Sequence, residues 1–151
     1  MSRRPDHFFV QSGAVPYRGD RRRLEVLLVR NRKDTKWICP KGIVEPHLTP
    51  ELSAAQEAYE EAGVLGVVHS VSLGRYKQKK WGGVCKIDMF PMRVTTERET
   101  WLESYRRRKW FALGAAEEVC DPRLKPILAA LPETLAQLTG DAPSTVWMPP
   151  D

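Results

Sequence analysis

Three glutamates, Glu57, Glu60 and Glu61, stand at i, i+3 and i+4. On a helix advancing about 100° per residue this spacing puts all three on one face. Leu52, Ala55, Ala58, Tyr59 and Ala62 fall on the other side and would dock on a sheet. Like charges so placed cost an isolated helix roughly 0.2–0.5 kcal/mol per pair, and no Lys or Arg occurs between positions 42 and 74 to offset them. A divalent cation would. Mg²⁺ takes oxygen ligands and bridges protein carboxylates to substrate phosphates. The plainer reading of the trio alone is a solvated acidic surface.

The helix that must carry these carboxylates is well punctuated. Thr49 suits the N-cap, Pro50 the first helical position and Glu51 the positive end of the dipole. Gly63 is placed to close it in a left-handed conformation. Phe8–Tyr17 reads as a strand that breaks at Pro16 and the Arg18-Gly19-Asp20 turn. Leu24–Val29 is a nearly continuous apolar run, the mark of a strand buried on both faces. Trp37-Ile38-Cys39 is a brief extended piece ending at Pro40-Lys41-Gly42. Leu65–Leu73, Val84–Val94 and the surroundings of Trp110–Leu113 read as strands. Ala115–Val119 and Leu124–Gln137 read as helices, the second broken or kinked at Pro132. Strands, a central helix, more strands and a terminal helix predict a single α/β domain with a mixed β-sheet. About 1–7 and 139–151 are expected to be loose termini.

Charge is distributed in blocks. Residues 1–41 carry eleven Lys/Arg, residues 42–74 five Glu and no cation, and residues 75–109 again eleven Lys/Arg. An acidic island between basic blocks suits a metal-dependent site that receives a polyanion; attraction to nucleic acid is the competing reading. No apolar run reaches the roughly 20 residues of a membrane span, and no signal-peptide core is present. Cys39, Cys85 and Cys120 form neither a disulfide framework nor a zinc pattern, which predicts reduced, core-filling thiols in a cytoplasmic protein. His7, His47 and His69 are scattered singly and are assigned no catalytic role.

The segment 42–64 resembles the Nudix box, G-x5-E-x7-R-E-U-x-E-E-x-G-U, where U is a bulky aliphatic residue. Gly42, Glu57, Glu60, Glu61, Gly63 and Val64 match at the right spacing, and Ala58 matches marginally. Trp37–Gly42 is similar to the family's lead-in to the box. Two positions depart: Leu48 stands where the family has glutamate, and Gln56 where it has arginine. The lost charges are opposite in sign, so if the two normally pair, losing both strands neither. The change reads as an altered brace between loop and helix. The resemblance covers roughly residues 8–135. It is nearest the diphosphoinositol polyphosphate phosphohydrolases and diadenosine polyphosphate hydrolases, through Asn31-Arg32-Lys33, Lys79-Lys80, the run from Trp101-Leu102-Glu103-Ser104 into Arg106–Phe111, and Lys125-Pro126.

The resemblance implies a Nudix fold, an α/β/α sandwich. It also implies Mg²⁺-dependent hydrolysis of a phosphoanhydride bond in a nucleoside-diphosphate-linked, dinucleoside polyphosphate or inositol pyrophosphate substrate. Mg²⁺, with Mn²⁺ as an alternative, would be held by Glu57, Glu61 and the Gly42 carbonyl. Glu60 is the candidate general base, with Glu57 second; Glu45 could reach the same site or lie at the surface. Arg32, Lys33, Lys41, Lys79, Lys80, Arg107 and Lys125 are candidate phosphate contacts, and Trp81 is a candidate for stacking on a base. Two rivals stay open. One is a catalytically weak or inactive polyphosphate-binding protein, favoured by Leu48 and Gln56. The other is an RNA 5′-pyrophosphate hydrolase, or plain RNA binding, through Arg21-Arg22-Arg23 and Arg106-Arg107-Arg108. Oligomeric state is not fixed by any of these features.

Overall fold

The computed structural model describes residues 10–80, 82–138, 140 and 142–150. Phe8 and Phe9, the expected loose residues 1–7 and Trp81 lie outside the described residues. β1 (Val10–Arg18) runs beside β7 (Gly83–Glu97) in the sheet's parallel pairing, Val10 opposite Lys86 through Tyr17 opposite Arg93; the other pairings are antiparallel. The other edge of β1 is shared. β4 (Lys41–Ile43) pairs with Gln11–Gly13, and β2 (Glu25–Arg30) with Tyr17 and Arg18. The long β7 is shared likewise, with β6 (Gly74–Lys80) along its first half and β5 (Val64–His69) along its second. β3 (Trp37–Ile38) and β8 (Arg108–Ala112) flank β2.

Alternation along β2 shows why its apolar run is unbroken. Val26 and Leu28 face one core with Val15, Tyr17, Ile87 and Met89; Leu27 and Val29 face another with Ala14, Phe90 and Met92. The first core is covered by α2 (Leu113–Val119), α3 (Lys125–Ala129) and α4 (Leu131–Gln137), through Ala116, Ile127, Leu128 and Leu131. The second is covered by α1 (Pro50–Ala62), whose Ala54, Ala55, Ala58 and Ala62 let the helix approach the strands closely. The architecture is the expected α/β/α sandwich on a mixed sheet.

Several local expectations change. Leu65–Leu73 is not one strand. β5 stops at His69 and a separate strand, β6, follows, its sequence GRYKQKK too polar to signal itself because Tyr76 is its one side chain in the core. Gly42 lies inside a strand, β4, not after one. Helix 124–137 is divided, as Pro132 suggested, into α3 and α4. Within the tail expected to be loose, β9 (Ser144–Val146) pairs with β5, and Trp147 packs on Tyr59 at 5.5 Å between ring centroids. A local pattern cannot reveal this docking, because the partner strand lies far back in the sequence.

Gly63 adopts φ 68° and ψ 31° at the end of α1, and its N–H donates to the Ala58 and Tyr59 carbonyls. A Cβ there would stand 2.8 Å from Arg108 Nη1 and 2.9 Å from the Trp101 ring. Gly63→Ala combines left-handed strain with displaced neighbours and is expected to destabilise by about 2 kcal/mol. That corresponds to a melting temperature lower by roughly 4–8 °C, readable by circular dichroism; an unchanged value would refute this account of the cap.

Candidate active site

Both ends of α1 are fixed by side chains and backbone from elsewhere. At its start the Thr49 hydroxyl accepts from Leu52 N–H at 3.3 Å. Ser12 on β1 donates its hydroxyl to the Pro50 carbonyl at 2.7 Å. At its end no basic residue of the helix complements the dipole, and the segment 98–108 supplies what is missing. Glu103 N–H donates to Glu60 O (3.0 Å), Trp101 Nε1 to Glu61 O (3.0 Å), Arg108 Nη1 to Ala62 O (2.8 Å) and Arg98 N–H to Gly63 O (2.8 Å). These carbonyls would otherwise be unpaired, and the Arg108 cation suits the negative helix end.

The glutamates do not form a solvated face. Glu61 is 5% exposed, and its Oε2 accepts from the backbone N–H of Lys41 on β4 at 3.3 Å. Glu57 is half-buried against Gly42, where an added Cβ would come within 2.2 Å of Glu57 Oε1. The two carboxyl groups lie close enough for each to act on the other's titration. Burial lifts the Glu57 pKa to about 7, and the negative charges of Glu60, Glu103 and Glu45 push in the same direction. Burial and then Glu57 drive the Glu61 pKa well above the ordinary carboxylate value, with Arg106 opposing. Glu60 does not join them: among the described residues no three His, Cys, Asp or Glu side chains are gathered to hold a metal ion. The expected convergence of three carboxylates is thus a convergence of two, with Glu60, Glu103 and Glu45 close enough for their charge to be felt.

This pair fits a hard cation. Two adjacent carboxylates beside β4 form an all-oxygen donor set, and Mg²⁺ is commonly bound through one or two carboxylates plus substrate phosphates. Gly42 leaves the space in which Glu57 lies.

Lys41 lies beside the pair. Burial lowers its pKa first, the positive charges of Lys80 and Arg123 add to that lowering, and Glu61 opposes it. Lys80 and Arg123 are thus near enough to Lys41 for their charges to act on it, and Arg123 is a cation the sequence did not single out. It is anchored by Asp121, which accepts from Arg123 Nη2 at 2.7 Å. Lys79 parts company with Lys80: it alternates to the opposite face of β6, opposite exposed Val84. Arg32 and Lys33 are exposed on the β2–β3 turn. Arg107 reaches that same turn, with Nη2 3.3 Å from Asp34 Oδ1. Lys125 is exposed at the start of α3.

Glu103 is the carboxylate that sequence reading left as part of a run. Arg106 Nε (3.0 Å) and the Tyr105 hydroxyl (2.9 Å) donate to its Oε1, and Arg106 is itself tied to the Arg30 carbonyl at 2.9 Å. Arg106 is buried and Arg108 half-buried and engaged, so the 106–108 run is a structural clamp and not the open basic patch it resembled.

The loop before α1 and the start of the helix are held by hydroxyl groups. Ser53, buried on α1, accepts from Glu45 N–H at 3.1 Å and donates to Ile43 O at 3.3 Å. Together with Ser12 it braces loop, strand and helix without an ion pair.

Comparison with known proteins bears on the family and the fold. The family model described as the NUDIX domain matches residues 8–131. Nudix hydrolase 21, chloroplastic, of Arabidopsis thaliana is 40% identical over 115 residues, covering 72% of this chain and 58% of its own. Nudix hydrolase 17, mitochondrial, of the same plant is 37% identical, covering 82% and 74%. Diphosphoinositol polyphosphate phosphohydrolase 3-alpha of Mus musculus is 31% identical, covering 87% and 80%. The chain thus spans little more than half of the first of these relatives. A solved Caenorhabditis elegans Ap4A hydrolase complex shares the fold at TM-score 0.72 and 20% identity, covering 86% of this chain and 99% of that one. A Nudix box closing two carboxylates over its glycine, a sandwich of this topology and these matches lead to one conclusion: the chain belongs to the Nudix family.

Proposed function

We propose that the protein hydrolyses a phosphoanhydride bond in a small polyphosphate: nucleoside-diphosphate-linked, dinucleoside polyphosphate or inositol pyrophosphate. One observation carries the reading. A carboxyl pair, Glu57 and buried Glu61, lies against Gly42 and the Lys41 backbone, and the charges of Lys80 and Arg123 act on the Lys41 ammonium. The relatives' names support it, since they are Nudix hydrolases and a diphosphoinositol polyphosphate phosphohydrolase.

Glu57 and Glu61 would hold Mg²⁺ or Mn²⁺, with the Gly42 carbonyl as a further oxygen; the ion, when bound, neutralises phosphate charge and activates water. The protein's own part is positioning and electrostatics. Lys41 offers a partly desolvated ammonium to the phosphate chain. Glu60 is the proposed proton acceptor, with Glu57 second, and Glu103, held in place by Arg106, stands beside them. Arg32, Lys33 and Arg107 form an outer cationic rim, Lys80 an inner one. Lys125 and Lys79 lie further out in this reading. The three unpaired cysteines support a reducing, cytoplasmic setting, and no helix among the described residues is long and apolar enough to cross a membrane.

The non-catalytic alternative rests on Leu48 and Gln56. The RNA alternative rested partly on Arg106–Arg108, of which Arg107 alone is exposed. The deciding experiment is phosphate release from diadenosine polyphosphates, ADP-ribose and an inositol pyrophosphate, with and without Mg²⁺ and Mn²⁺. Metal-dependent turnover of at least one of them, lost in Glu61→Gln with binding retained, is expected. Tight binding with no turnover on the whole panel would replace the enzyme with a sensor.

A further inference from the structure

The Arg21-Arg22-Arg23 run has no part in the site described above. It lies on the turn between β1 and β2, at the far end of β1 from the carboxyl pair. Ser12 pairs with Gly42, and Tyr17 stands about 17 Å further along at the usual strand rise. There the turn, the end of β5, the middle of β7 and the last turn of α4 enclose a cavity of about 320 Å³. That is the lower end of the roughly 300–1,000 Å³ range of small-molecule sites.

The floor of this cavity is apolar and buried. Leu24 and Tyr17 form it, and Leu135 and Leu138 stand on the wall. The Tyr17 hydroxyl and His69 Nε2 share a hydrogen bond of 2.7 Å and the two rings stack, so the aromatic side largely satisfies itself. The rim is charged and exposed, with Arg21, Arg93 and Asp20. The Arg93 guanidinium sits 5.3 Å from the centre of the Tyr17 ring. Among the described residues neither Arg21 nor Arg93 is ion-paired. Asp20 is engaged by the turn itself: its Oδ1 accepts from the Arg22 and Arg23 N–H groups at 2.9 and 3.2 Å. Burial, and then the Arg93 charge, lower the His69 pKa, so the imidazole adds no charge at pH 7.

Two unpaired guanidinium groups above an apolar floor match a ligand with an anionic head on an apolar ring. Arginine grips a carboxylate or phosphate through paired N–H donors. A bare inorganic anion would leave the floor uncovered, and a neutral ring would leave the arginines unused. A polynucleotide needs a continuous cationic track. Here the track is broken by Asp20, by Glu133 in the neighbouring cavity beside Arg21 and Arg22, and by the ion pair of Arg18 with Glu25 at 2.7 Å.

We infer that the cavity between the β1–β2 turn and α4 is a second binding site, for a small aromatic ring bearing one carboxylate or phosphate group, held by Arg93 and Arg21. It is separate from the carboxyl pair and does not depend on the proposed hydrolysis.

The test is an amide NMR titration of the full chain, without metal, with phenyl phosphate, benzoate, benzyl alcohol and inorganic phosphate. Phenyl phosphate or benzoate is expected to shift the signals of Gly19, Arg93, Leu135 and Leu138 saturably, and the tighter of the two identifies the head group. Benzyl alcohol and inorganic phosphate should each bind at least about tenfold more weakly, one lacking the charge and the other the ring. Arg93→Gln and Arg21→Gln should each weaken the ring-bearing anion about tenfold. Arg21 lies on an exposed turn, so its substitution keeps the test open if Arg93→Gln disturbs the sheet. No saturable shift at the cavity would overturn the inference. So would equal binding of inorganic phosphate, which would mean a basic surface only, or equal binding of benzyl alcohol. Shifts at Lys41 and Glu61 in place of the cavity would put the ligand at the carboxyl pair and overturn it as well. A single-stranded oligoribonucleotide that displaces phenyl phosphate from these signals at lower concentration would give the site to a polynucleotide instead.

Discussion

Glu57→Gln should lower turnover by about 10²–10³-fold while making the metal-free protein more stable at pH 8. The first half follows from the amide's weak affinity for a divalent cation and its lack of charge at the phosphate site, where loss of a single electrostatic contact typically costs that much. The second follows from proton linkage. Burial and neighbouring carboxylates raise the folded pKa of Glu57 to about 7, above the unfolded value near 4.5. Below about 4.5 both states hold the proton. Between 4.5 and 7 the unfolded chain releases it first, so stability falls as pH rises through that window. Wild type in EDTA should therefore melt on the order of 5 °C lower at pH 8 than at pH 5 through this pair, and Mg²⁺ or Mn²⁺ should recover the difference. In Glu57→Gln the slope should flatten and the metal should recover little. Thermal melts at the two pH values, paired with phosphate release, check both halves. A variant less stable than wild type at pH 8 and fully active would mean the carboxyl pair is a structural feature with no part in the chemistry.

Gly42→Ala should cost about 10²-fold in kcat with little change in stability. The added methyl would stand 2.2 Å from Glu57 Oε1 and 2.4 Å from its carboxyl carbon, so the side chain must move away from β4. A displacement of about 1 Å in a positioned group is enough for a loss of that order. Gly42 carries no left-handed backbone requirement, so alanine brings no conformational strain. A long glutamate can rotate toward solvent, so the fold is preserved. Measuring kcat and KM separately distinguishes the outcomes. A rise in KM alone would mean Gly42 serves substrate entry and not the placement of Glu57.

The acidic helix was legible in the sequence because everything that defines it is local. Thr49, Pro50 and Gly63 mark its ends within a few residues of the backbone groups they satisfy, and a 3.6-residue period fixes which faces hold alanine and which hold glutamate. The buried strand Glu25–Arg30 was legible for a related reason: a segment enclosed on both faces has no polar side to show. β6 was not, since most of its side chains face outward and its pairing with β7 is a property of two segments together. β9 docks against β5 for the same reason, invisible from its own composition.

At the site, spacing alone placed Glu57, Glu60 and Glu61 on one face, but only tertiary structure separated them. The approach of α1 to β4 buries Glu61 against the Lys41 amide and presses Glu57 on Gly42, leaving Glu60 outside the pair. Likewise the sequence offered a pool of cations, and strand alternation and chain reversal sorted them. Lys80 and Arg123 are brought within electrostatic reach of Lys41, Lys79 turns away, and Arg106 and Arg108 are consumed in holding Glu103 and the helix end. Sequence determines which groups are present and what local shape each segment prefers. Which charges meet, and at what depth below water, depends on contacts between residues far apart in the chain, and burial at those contacts sets their chemistry.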